Sequence, residues 1–326
     1  MVNYINLIFL ACTLLLLIVQ AVTLLSRLNL LKRKVFYVIL EATGDFTFIL
    51  LLAAHALWVT TSGGYNPWDA YYLAPSCVYM LLVATSAYRN HRNCPKSTGV
   101  TLTSANLQFT NHLTPEALKN LTSGDPDYIV TIETSEQALV SIQTNLKNYL
   151  QVTSGSGARG SMVVIWAHSR AMRSMTAQTA ISLKASTNSL PAASISVNGK
   201  NVTLVGVHLS APITNTHLEI WGNELNELKE HAQKHEGGLV FAGDFNASLY
   251  HRELNSLAQM CPDAAKTRGV HRSRTWPQDG GMFSILLPWA VMGLDHVLCS
   301  PDVQVLAYSE ISVHGSDHKA IRCTLG

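Results

Sequence analysis

The chain has 326 residues, of which 48% are hydrophobic and only 13% are charged. This composition is apolar for a soluble protein and indicates that part of the chain lies in lipid. The C-terminal part is close to neutral, because residues 97–326 carry 16 Lys and Arg against 18 Asp and Glu. Since binding to nucleic acid phosphates usually requires a basic surface, this balance disfavours nucleic acid as a partner.

Three apolar stretches account for the surplus of hydrophobic residues, and they occupy residues 4–25, 35–59 and 71–88. The first contains no charged side chain and, as a helix, is long enough to cross the hydrocarbon core of a bilayer. Aromatic side chains stand near the proposed ends, where amphipathic rings favour the headgroup region. The chain is therefore predicted to begin with a membrane domain of about three transmembrane helices over residues 1–88.

Two features of these stretches leave alternatives open. A secretory signal peptide is the alternative for the first stretch, although it has no basic start and no small-residue cleavage site before Arg27. The second stretch holds Glu41, Asp45 and His55, which fall within about 80° of one helical face and can turn away from lipid together. That span could also begin later, near Phe46.

Residues 89–98 form a polar linker, and residues 99–326 are enough for one large α/β domain with its own core. One helix is predicted to start at Thr114-Pro115, where a cap residue is followed by a proline in the first turn. Two further helices are predicted over residues 139–150 and 218–232. Asn198-Gly199 lies between two β-rich runs and predicts a hairpin. Strands are predicted at residues 100–108, 128–131, 162–167, 193–197, 202–207, 238–242, 294–299, 303–309 and 320–325.

Strands outnumber helices in this pattern. The sequence therefore favours an α/β fold in which the N-terminal transmembrane helices are followed by a four-layer α/β sandwich, two packed mixed β-sheets flanked by helices. A parallel doubly wound fold suits the pattern less well.

The six cysteines show no CxxC pair and no His/Cys spacing typical of a metal site. Cys12 and Cys77 fall in the predicted spans. The other four, Cys94, Cys261, Cys299 and Cys323, fit either reduced thiols or two disulfides, so the redox compartment stays open.

Polar side chains follow several hydrophobic runs at the point where each predicted strand ends. They are Asn106, Glu133, His208, Asp244, Asn246, Asp295, Asp317 and His318. Hydrolysis of a phosphate ester needs a nucleophilic water, a base to accept its proton, and donors or positive charge on the phosphate. Glu133 is a candidate Mg²⁺ ligand, which the amide oxygen of Asn106 would support. His318 is the candidate general base, because imidazole titrates near neutrality.

The series of motifs resembles the endonuclease/exonuclease/phosphatase superfamily from about Val100 to the C-terminus. The pieces include Gly-Asp-Phe-Asn at residues 243–246 and Ser-Asp-His at residues 316–318. Each piece is weak alone, but they occur together and in the family order. The resemblance implies a DNase I-like fold, hydrolysis of phosphate esters, and Mg²⁺ or Mn²⁺ as the cofactor.

The resemblance also implies roles for the remaining residues. Asp295 would be the carboxylate that orients the base, and Asp317 would lie on the metal side, acting through water. Asp244 would orient or activate the attacking water. Two further side chains, Asn246 and His208, would donate hydrogen bonds to the phosphoryl oxygens.

Two positions bear on the kind of family member. Some nucleases of the family carry an acid before the strand at residues 162–167 that pairs with the histidine matching His208, and residues 159–162 provide none. This departure argues against a nuclease of that kind. Thr275-Trp276-Pro277 also resembles a family motif, for which either a buried aromatic lid or a substrate contact is a fitting role.

The apolar stretches, together with the motifs at residues 207–212, 242–247 and 275–277, resemble the membrane-anchored bacterial branch that includes glycopeptide-resistance proteins. This resemblance implies a multi-pass protein of the cell membrane whose substrate is a lipid-linked phosphate ester or pyrophosphate. Tethering to the bilayer would raise the effective concentration of the site toward lipid headgroups. The side of the membrane stays open, because the basic clusters at residues 27–34 and 89–96 indicate the cytoplasm and the resemblance indicates the outside.

Two other functions stay open. A membrane-tethered endonuclease or exonuclease would need a basic groove, for which the candidates are Arg252, Lys266, Arg268, Arg272 and Arg274. A catalytically inert binding domain is the non-enzymatic alternative, and the complete set of site residues argues against it. The sequence gives no indication of the oligomeric state.

Overall fold

The computed structural model describes Ile18 and residues 99–109, 113–157, 161–186, 188–270, 273–278, 290 and 292–326. The predicted membrane spans and the linker lie outside these residues, apart from Ile18, which is helical. Within the described residues, no helix combines the length and the apolar character needed to cross a bilayer. The chain divides into two compact units, Met1–Arg89 and Asn90–Gly326, and the predicted site residues all belong to the second.

Eleven strands and five α-helices occur in the described part of the second unit. The strands are β1 Val100–Asn106, β2 Tyr128–Thr134, β3 Tyr149–Ser156, β4 Met162–His168, β5 Thr176–Ser182, β6 Ser189–Val197, β7 Lys200–His208, β8 Gly238–Asp244, β9 Asp295–Cys299, β10 Val305–Ser312 and β11 Lys319–Leu325. The helices are α1 Pro115–Thr122, α2 Glu136–Asn145, α3 Asn215–Lys234, α4 Arg252–Ala258 and α5 Ala264–Thr267, with a short 3₁₀ helix at Met172–Ser174.

The strands form two mixed sheets. Sheet A has the order β10-β11-β1-β2-β4-β3, and sheet B has the order β5-β6-β7-β8-β9. In sheet A, β1 runs parallel to β2 and antiparallel to β11. In sheet B, β7 runs parallel to β8, and β8 runs antiparallel to β9. This topology confirms the predicted α/β sandwich of two mixed sheets.

The main hydrophobic core lies between the two sheets. Val130 from sheet A and Leu204 from sheet B belong to the same buried cluster. On the outer face of sheet A, α1 and α2 pack over Trp166. On the outer face of sheet B, His231 of α3 contacts the ring of Phe241. Helices therefore cover the outer face of each sheet, as expected for four layers.

The first two helices begin where the sequence provides side-chain caps. Thr114 accepts a hydrogen bond from the backbone N–H of Ala117 at 3.1 Å, and Pro115 occupies the first turn, where its missing N–H has no intrahelical partner to lose. Ser135 caps α2 in the same way through Ala138, also at 3.1 Å. The predicted helix start at Thr114 is confirmed.

The predicted hairpin connects β6 to β7. Val197 pairs with Lys200, which leaves Asn198 and Gly199 as a two-residue loop. Both loop residues have positive φ, 50° and 77°. This is the backbone twist that a tight hairpin turn between right-twisted strands requires, and asparagine and glycine adopt it at low cost.

The helix predicted over residues 139–150 is too long. It ends at Asn145, where the N–H of Leu146 donates to the Ile142 carbonyl at 2.8 Å. Leu150 instead belongs to β3 and is 47% exposed. The helical spacing is coincidental there, because pairing with β4 determines the backbone beyond the helix. The sequence also does not predict β3 and β5, since both are polar edge strands without apolar alternation.

Three of the cysteines left open by the sequence are buried free thiols. They are Cys261, Cys299 and Cys323. Burial raises the pKa of each thiol, so each stays protonated and unreactive. Cys94 lies outside the described residues.

His296 joins three segments at the start of β9. Its Nδ1 lies 2.9 Å from Asp263 Oδ2, and its Nε2 lies 2.8 Å from the Ala247 carbonyl and 3.2 Å from the Gly293 carbonyl. All three partners are acceptors, so both ring nitrogens carry a hydrogen and the ring is positively charged. Burial disfavours this charge, but the hydrogen bond and the charge of Asp263 outweigh burial and raise the pKa of His296.

The raised pKa of His296 implies that the fold loses stability as the pH rises. The stabilisation is fully present below the unfolded-state pKa of 6.5 and is lost as the pH passes through the higher folded-state pKa. Urea unfolding at several pH values measures this effect. His296→Gln should be less stable at low pH and show a flatter pH dependence, whereas His217→Gln, at an exposed position on α3, should match the parent chain. Equal slopes in the parent and the His296 variant would contradict the assignment.

Candidate active site

The predicted site residues meet at one edge of the two-sheet core. His208 and Asp244 end β7 and β8, Asp295 begins β9, and the three stand in neighbouring register. Asn106 and Glu133 come from β1 and β2 in the other sheet. The side-chain nitrogen of Asn106 donates to Asp244 at 3.0 Å, which links the two sheets. One edge therefore receives polar side chains from both sheets.

Two of these side chains lie on unusual backbone. Glu133 has a φ of 52° and lies where the register between β2 and β4 shifts. Asn246 has a φ of 47°. Positive φ is uncommon outside glycine and concentrates at functional sites, and a bulge changes the direction of a side chain relative to the strand alternation. The backbone thus bends at two points where it presents a polar group to the site.

Gly243 allows the ends of β7 and β8 to approach closely. A Cβ at this position would lie 1.9 Å from the carbonyl oxygen of Val207, so no larger residue fits. The next residue, Asp244, is thereby placed beside His208. This close approach explains the glycine in the Gly-Asp-Phe-Asn run.

Glu133, His208 and Asp244 form a group of metal-ligand type. One ligand atom from each lies within 4.8 Å of the other two. Glu133 Oε1 is 3.5 Å from His208 Nε2, and 30% of the Glu133 side chain is exposed. Hard cations such as Mg²⁺ prefer oxygen ligands and keep several waters, and the exposed side of Glu133 leaves room for them.

Asn106 connects two of the carboxylates. Its side-chain nitrogen faces Glu133 at 3.2 Å and Asp244 at 3.0 Å, while its side-chain oxygen accepts the backbone N–H of Gln108 at 2.8 Å. In this arrangement the amide holds two like charges together, and the oxygen assigned to the metal from the sequence bonds to backbone. The metal role of that oxygen stays a prediction.

His318 is buried among three carboxylates. Its Nδ1 is 2.8 Å from Asp295 Oδ2, and its Nε2 is 4.0 Å from both Asp244 Oδ2 and Asp317 Oδ1. Burial alone would lower the pKa of His318. The negative charge and hydrogen bond of Asp295, followed by the charges of Asp244 and Asp317, outweigh burial and raise the pKa. Because Asp295 accepts from Nδ1–H, Nε2 is the nitrogen that faces the site. This is the geometry of a general base held by a carboxylate.

Asp244 is the central carboxylate and is almost fully buried. Burial, followed by the neighbouring charge of Asp295, raises the pKa of Asp244, while the charge of His318 opposes this rise. Its Oδ1 accepts the backbone N–H of Asn246 at 2.8 Å, and its Oδ2 accepts the Asn106 amide. Both oxygens are therefore fixed in direction.

The two predicted phosphate donors also reach this edge. The side-chain nitrogen of Asn246 donates to the Leu209 carbonyl at 2.9 Å. Nδ1 of His208 is buried and has no hydrogen-bond partner within the described residues. The sequence offered no pairing acid for His208 at residues 159–162, of which the structure describes only Ser161 and Met162.

Thr275 and Trp276 support two of the site carboxylates. Thr275 Oγ1 accepts the backbone N–H of Asp295 at 3.2 Å, and Trp276 Nε1 donates to Asp317 Oδ2 at 3.0 Å. The sequence left a lid and a substrate contact as alternatives for this motif. The structure shows a supporting role for both residues.

Ser316 belongs to the Ser-Asp-His run, but its supporting role is not predicted from the sequence. Its Oγ accepts the backbone N–H of His318 at 3.0 Å and donates to the Asn106 carbonyl at 2.7 Å. The hydroxyl thus joins the His318 loop to the end of β1. Its position directly before Asp317 was the available signal, but a serine in a loop has no pattern that identifies its partner.

Comparison with known proteins places these residues in a family. The sequence profile of the Endonuclease/Exonuclease/phosphatase family matches residues 103–318. A search of curated proteins returned no match.

Solved structures share the fold. TDP2 from D. rerio, complexed with a single-strand DNA product, has a TM-score of 0.58 at 16% identity and covers 71% of this chain and 100% of its own. A mannosyl-6-phosphatase from Bacteroides thetaiotaomicron has a TM-score of 0.53 at 15% identity, with 70% and 99% covered. An endonuclease/exonuclease/phosphatase family protein from the same organism has a TM-score of 0.53 at 14% identity, with 71% and 98% covered.

These identities are low, so the structural likeness shows the fold alone. The family profile, in contrast, matches most of the chain and includes every site residue from Asn106 to His318. The chain therefore belongs to the endonuclease/exonuclease/phosphatase family.

Proposed function

We propose that this chain is a divalent-metal-dependent phosphoesterase, anchored in the cell membrane, that hydrolyses a lipid-linked phosphate ester or pyrophosphate. The observation that carries the chemistry is the buried His318–Asp295 pair placed across Asp244 from the partly exposed carboxylate of Glu133. One side of this site can accept a proton and the other can hold a cation. Both are needed for attack of water on a phosphate.

The residues present fit a hard cation such as Mg²⁺ or Mn²⁺. Glu133 offers a partly exposed carboxylate, and Asp317 Oδ1 is buried without a hydrogen-bond partner within the described residues. Buried oxygen atoms in proteins normally accept at least one hydrogen bond, and Asp317 Oδ1 accepts none from the described residues. We assign Glu133 and Asp317 to the cation, and Asn106 would join them by turning its side-chain oxygen from the Gln108 N–H toward the cation. A cation bound there would polarise the phosphate and neutralise the charge that develops on it.

The protein side chains divide the remaining work. The neutral ring of His318 accepts the proton of the attacking water at Nε2, while Asp295 holds Nδ1–H and stabilises the imidazolium as it forms. A cation held at Glu133 and Asp317 would favour the neutral ring, because its charge offsets the carboxylate charges that raise the pKa of His318. Asp244 lies 4.0 Å from the same Nε2 and orients the water. Asn246 and His208 donate to the phosphoryl oxygens, which gain negative charge in the transition state.

Two exposed apolar side chains in loops connected to the site support a substrate with a hydrocarbon part. Phe109 is 41% exposed and follows Gln108, whose side-chain oxygen accepts the backbone N–H of Asp317. Ile213 is 65% exposed and lies in the loop that follows His208. Apolar surface beside a polar site suits an amphiphilic ligand. The apolar stretches near the N-terminus would hold such a site close to the bilayer.

A membrane-tethered nuclease is the second candidate, because TDP2, which has the same fold, is complexed with a single-strand DNA product. The charge of this chain argues against it. Residues 97–326 are near neutral, and Arg252, one of the basic residues considered for a groove, pairs with the neighbouring Glu253 at 2.9 Å. Strong phosphate-backbone binding needs several unpaired basic side chains on one face.

Metal removal tests the cation site. Chelation should abolish turnover of a soluble phosphodiester by the full chain, and Mg²⁺ or Mn²⁺ should restore it. Glu133→Gln should need more metal for half-maximal rate, because a neutral amide binds a hard cation less strongly than a carboxylate does. Glu136→Gln, at an exposed position in the first turn of α2, is the matched control and should titrate like the parent. Full activity in excess chelator would exclude the metal role.

Substitution of the base tests the proton-transfer step. His318→Ala should lower kcat by roughly 10²–10⁴-fold, the usual contribution of a positioned acid–base group. Asp295→Asn should also lower kcat, because an amide no longer stabilises the imidazolium. His314→Ala, in the same loop but exposed, is the control and should keep the parent rate. A folded His318 variant with nearly full activity would rule out this base.

Substrate preference tests the lipid assignment. The full chain in mixed micelles is compared on an isoprenyl phosphate, a water-soluble phosphodiester, and single- and double-stranded DNA. Phe109 and Ile213 together are called the apolar rim. Phe109→Asn and Ile213→Asn should reduce turnover of the isoprenyl phosphate much more than that of the soluble ester, because only the lipid would contact this rim. Asparagine tolerates the positive φ of 47° at position 109.

Two exposed apolar residues elsewhere provide matched controls for these variants. Val140→Gln on α2 and Leu150→Gln on β3 should leave both activities unchanged. Cleavage of DNA that falls steeply with salt, without cleavage of isoprenyl phosphate, would favour the nuclease. That result would overturn the lipid substrate and leave the metal-dependent chemistry intact.

A further inference from the structure

The buried face of α3 carries two polar side chains that belong to none of the sequence motifs described above. Most of this face is apolar, with Leu218, Leu225 and Leu228 buried. Trp221 and Glu224 lie on the same face, and both are 0% exposed. Because burial of a carboxylate is unfavourable unless hydrogen bonds satisfy it, the partners of Glu224 indicate what the residue does.

Glu224 holds the segment that follows His208. Its Oε2 accepts the backbone N–H of Ser210 at 2.7 Å, and its Oε1 accepts the Ser210 hydroxyl at 3.1 Å and the Asn188 side-chain nitrogen at 3.3 Å. Burial raises the pKa of Glu224, and hydrogen bonds from Ser186, Ser210 and Asn188 oppose the rise. The carboxylate therefore fixes the chain just beyond His208.

Trp221 holds the segment that contains Asp244 and Asn246. Its indole N–H donates to the carbonyl of Phe245, the residue between them, at 3.1 Å. The same ring makes an edge contact with His251, with ring centroids 5.3 Å apart. The indole thus fixes both the position and the direction of one peptide group beside the site.

Hydrogen bonds join the two segments to each other. The Leu209 N–H donates to the Asp244 carbonyl at 3.1 Å, and the Asn246 side-chain nitrogen donates to the Leu209 carbonyl at 2.9 Å. The loops after β7 and β8 therefore form one unit, and a single helix holds that unit from the side opposite to sheet A.

We propose that Trp221 and Glu224 are positioning residues that act through Asn246 and His208, by fixing the two loops that aim these donors at the phosphate. The inference rests on the proposed phosphoesterase function. Loss of either α3 side chain would leave the His318 side of the site in place and loosen the donor side. A misplacement of about 1 Å at a reacting centre can lower the rate roughly 10²-fold.

Glu227 offers a matched control on the same helix. It accepts the backbone N–H groups of Lys184 at 2.7 Å and Ala185 at 2.8 Å, so it also anchors a loop to α3. That loop connects β5 to β6, contains Asn188, which Glu224 also holds, and carries no site residue. Glu227→Ala removes a helix-to-loop anchor and keeps the one at Ser210, whereas Glu224→Ala removes the anchor at Ser210. Comparing the two variants therefore separates the general effect of losing an anchor from the specific effect at Ser210.

Kinetics of the full chain on bis(p-nitrophenyl) phosphate, with inorganic phosphate as a competitive inhibitor, test the positioning role. Glu224→Ala should lower kcat/KM by roughly 10²-fold and weaken inhibition by phosphate. Glu224→Gln keeps an oxygen acceptor for the Ser210 N–H and should recover most of the loss. Trp221→Phe removes the N–H donor together with part of the buried ring, and it should lower kcat/KM and weaken inhibition by phosphate. Glu227→Ala should stay close to the parent in both kinetic readouts.

A double-mutant cycle tests whether Glu224 acts through Asn246. If it does, Glu224→Ala should cost much less activity in an Asn246→Ala background than in the parent, because residues that act as a unit are not additive. Equal losses in the two backgrounds would overturn the inference. A loss in Glu227→Ala as large as that in Glu224→Ala would also overturn it, since it would indicate general destabilisation.

Hydrogen–deuterium exchange decides the inference without turnover. Glu224→Ala should speed exchange in peptides covering residues 206–214 and 243–249, whereas Glu227→Ala should do so only in residues 182–190. Unchanged exchange at residues 206–214 and 243–249 would overturn the positioning role. A parent chain that is inactive on the phosphoester probe would count against the proposed function alone, because the exchange result still distinguishes the two acids.

Discussion

The rest of the site depends on how the fold buries like charges side by side at one edge. Asp244 and Asp295 stand in register on neighbouring strands, and each is 1% exposed. Buried carboxylates repel each other unless donors lie between them. His318 and Asn106 supply those donors, the first by its hydrogen bond to Asp295 and the second by the hydrogen bond from its side-chain nitrogen to Asp244. The same electrostatics make the edge a favourable place for a cation.

Strand register explains only part of this arrangement. Register fixes His208, Asp244 and Asp295 relative to one another, but the residues beyond the strand ends need supports of their own. Thr275 and Trp276 hold the carboxylates on one side, and α3 holds the loops after β7 and β8 on the other. Because these supports bond mainly to backbone, they fix the direction of the catalytic side chains without contacting the reacting atoms.

The sequence predicts what depends on local pattern and misses what depends on tertiary partners. Strands that end in a polar residue are visible in the sequence, and because such ends meet at one edge of a sheet, the cluster could be anticipated from Asn106 to His318. The helical spacing that reaches Leu150 fails because strand pairing outweighs it. Glu224 is one of three acids between residues 218 and 228, so the sequence does not distinguish it from Glu219 and Glu227. The sequence could not predict its partner Ser210, because the hydrogen bond joins a helix to a loop that only folding brings together.

The residues that carry out the chemistry at the sheet edge and the residues that select the substrate lie in different parts of the molecule. Proteins of this fold include a mannosyl-6-phosphatase and TDP2 with a DNA product, so the shared core of strands does not by itself select the substrate. In this chain the loops beside the edge expose Phe109 and Ile213. Phe109 also adopts a positive φ of 47°, which is unfavourable for a bulky side chain, and its exposed ring gains little from burial. Contact with an apolar part of the substrate would offset both costs, and the lipid-linked substrate that we propose would provide such a part.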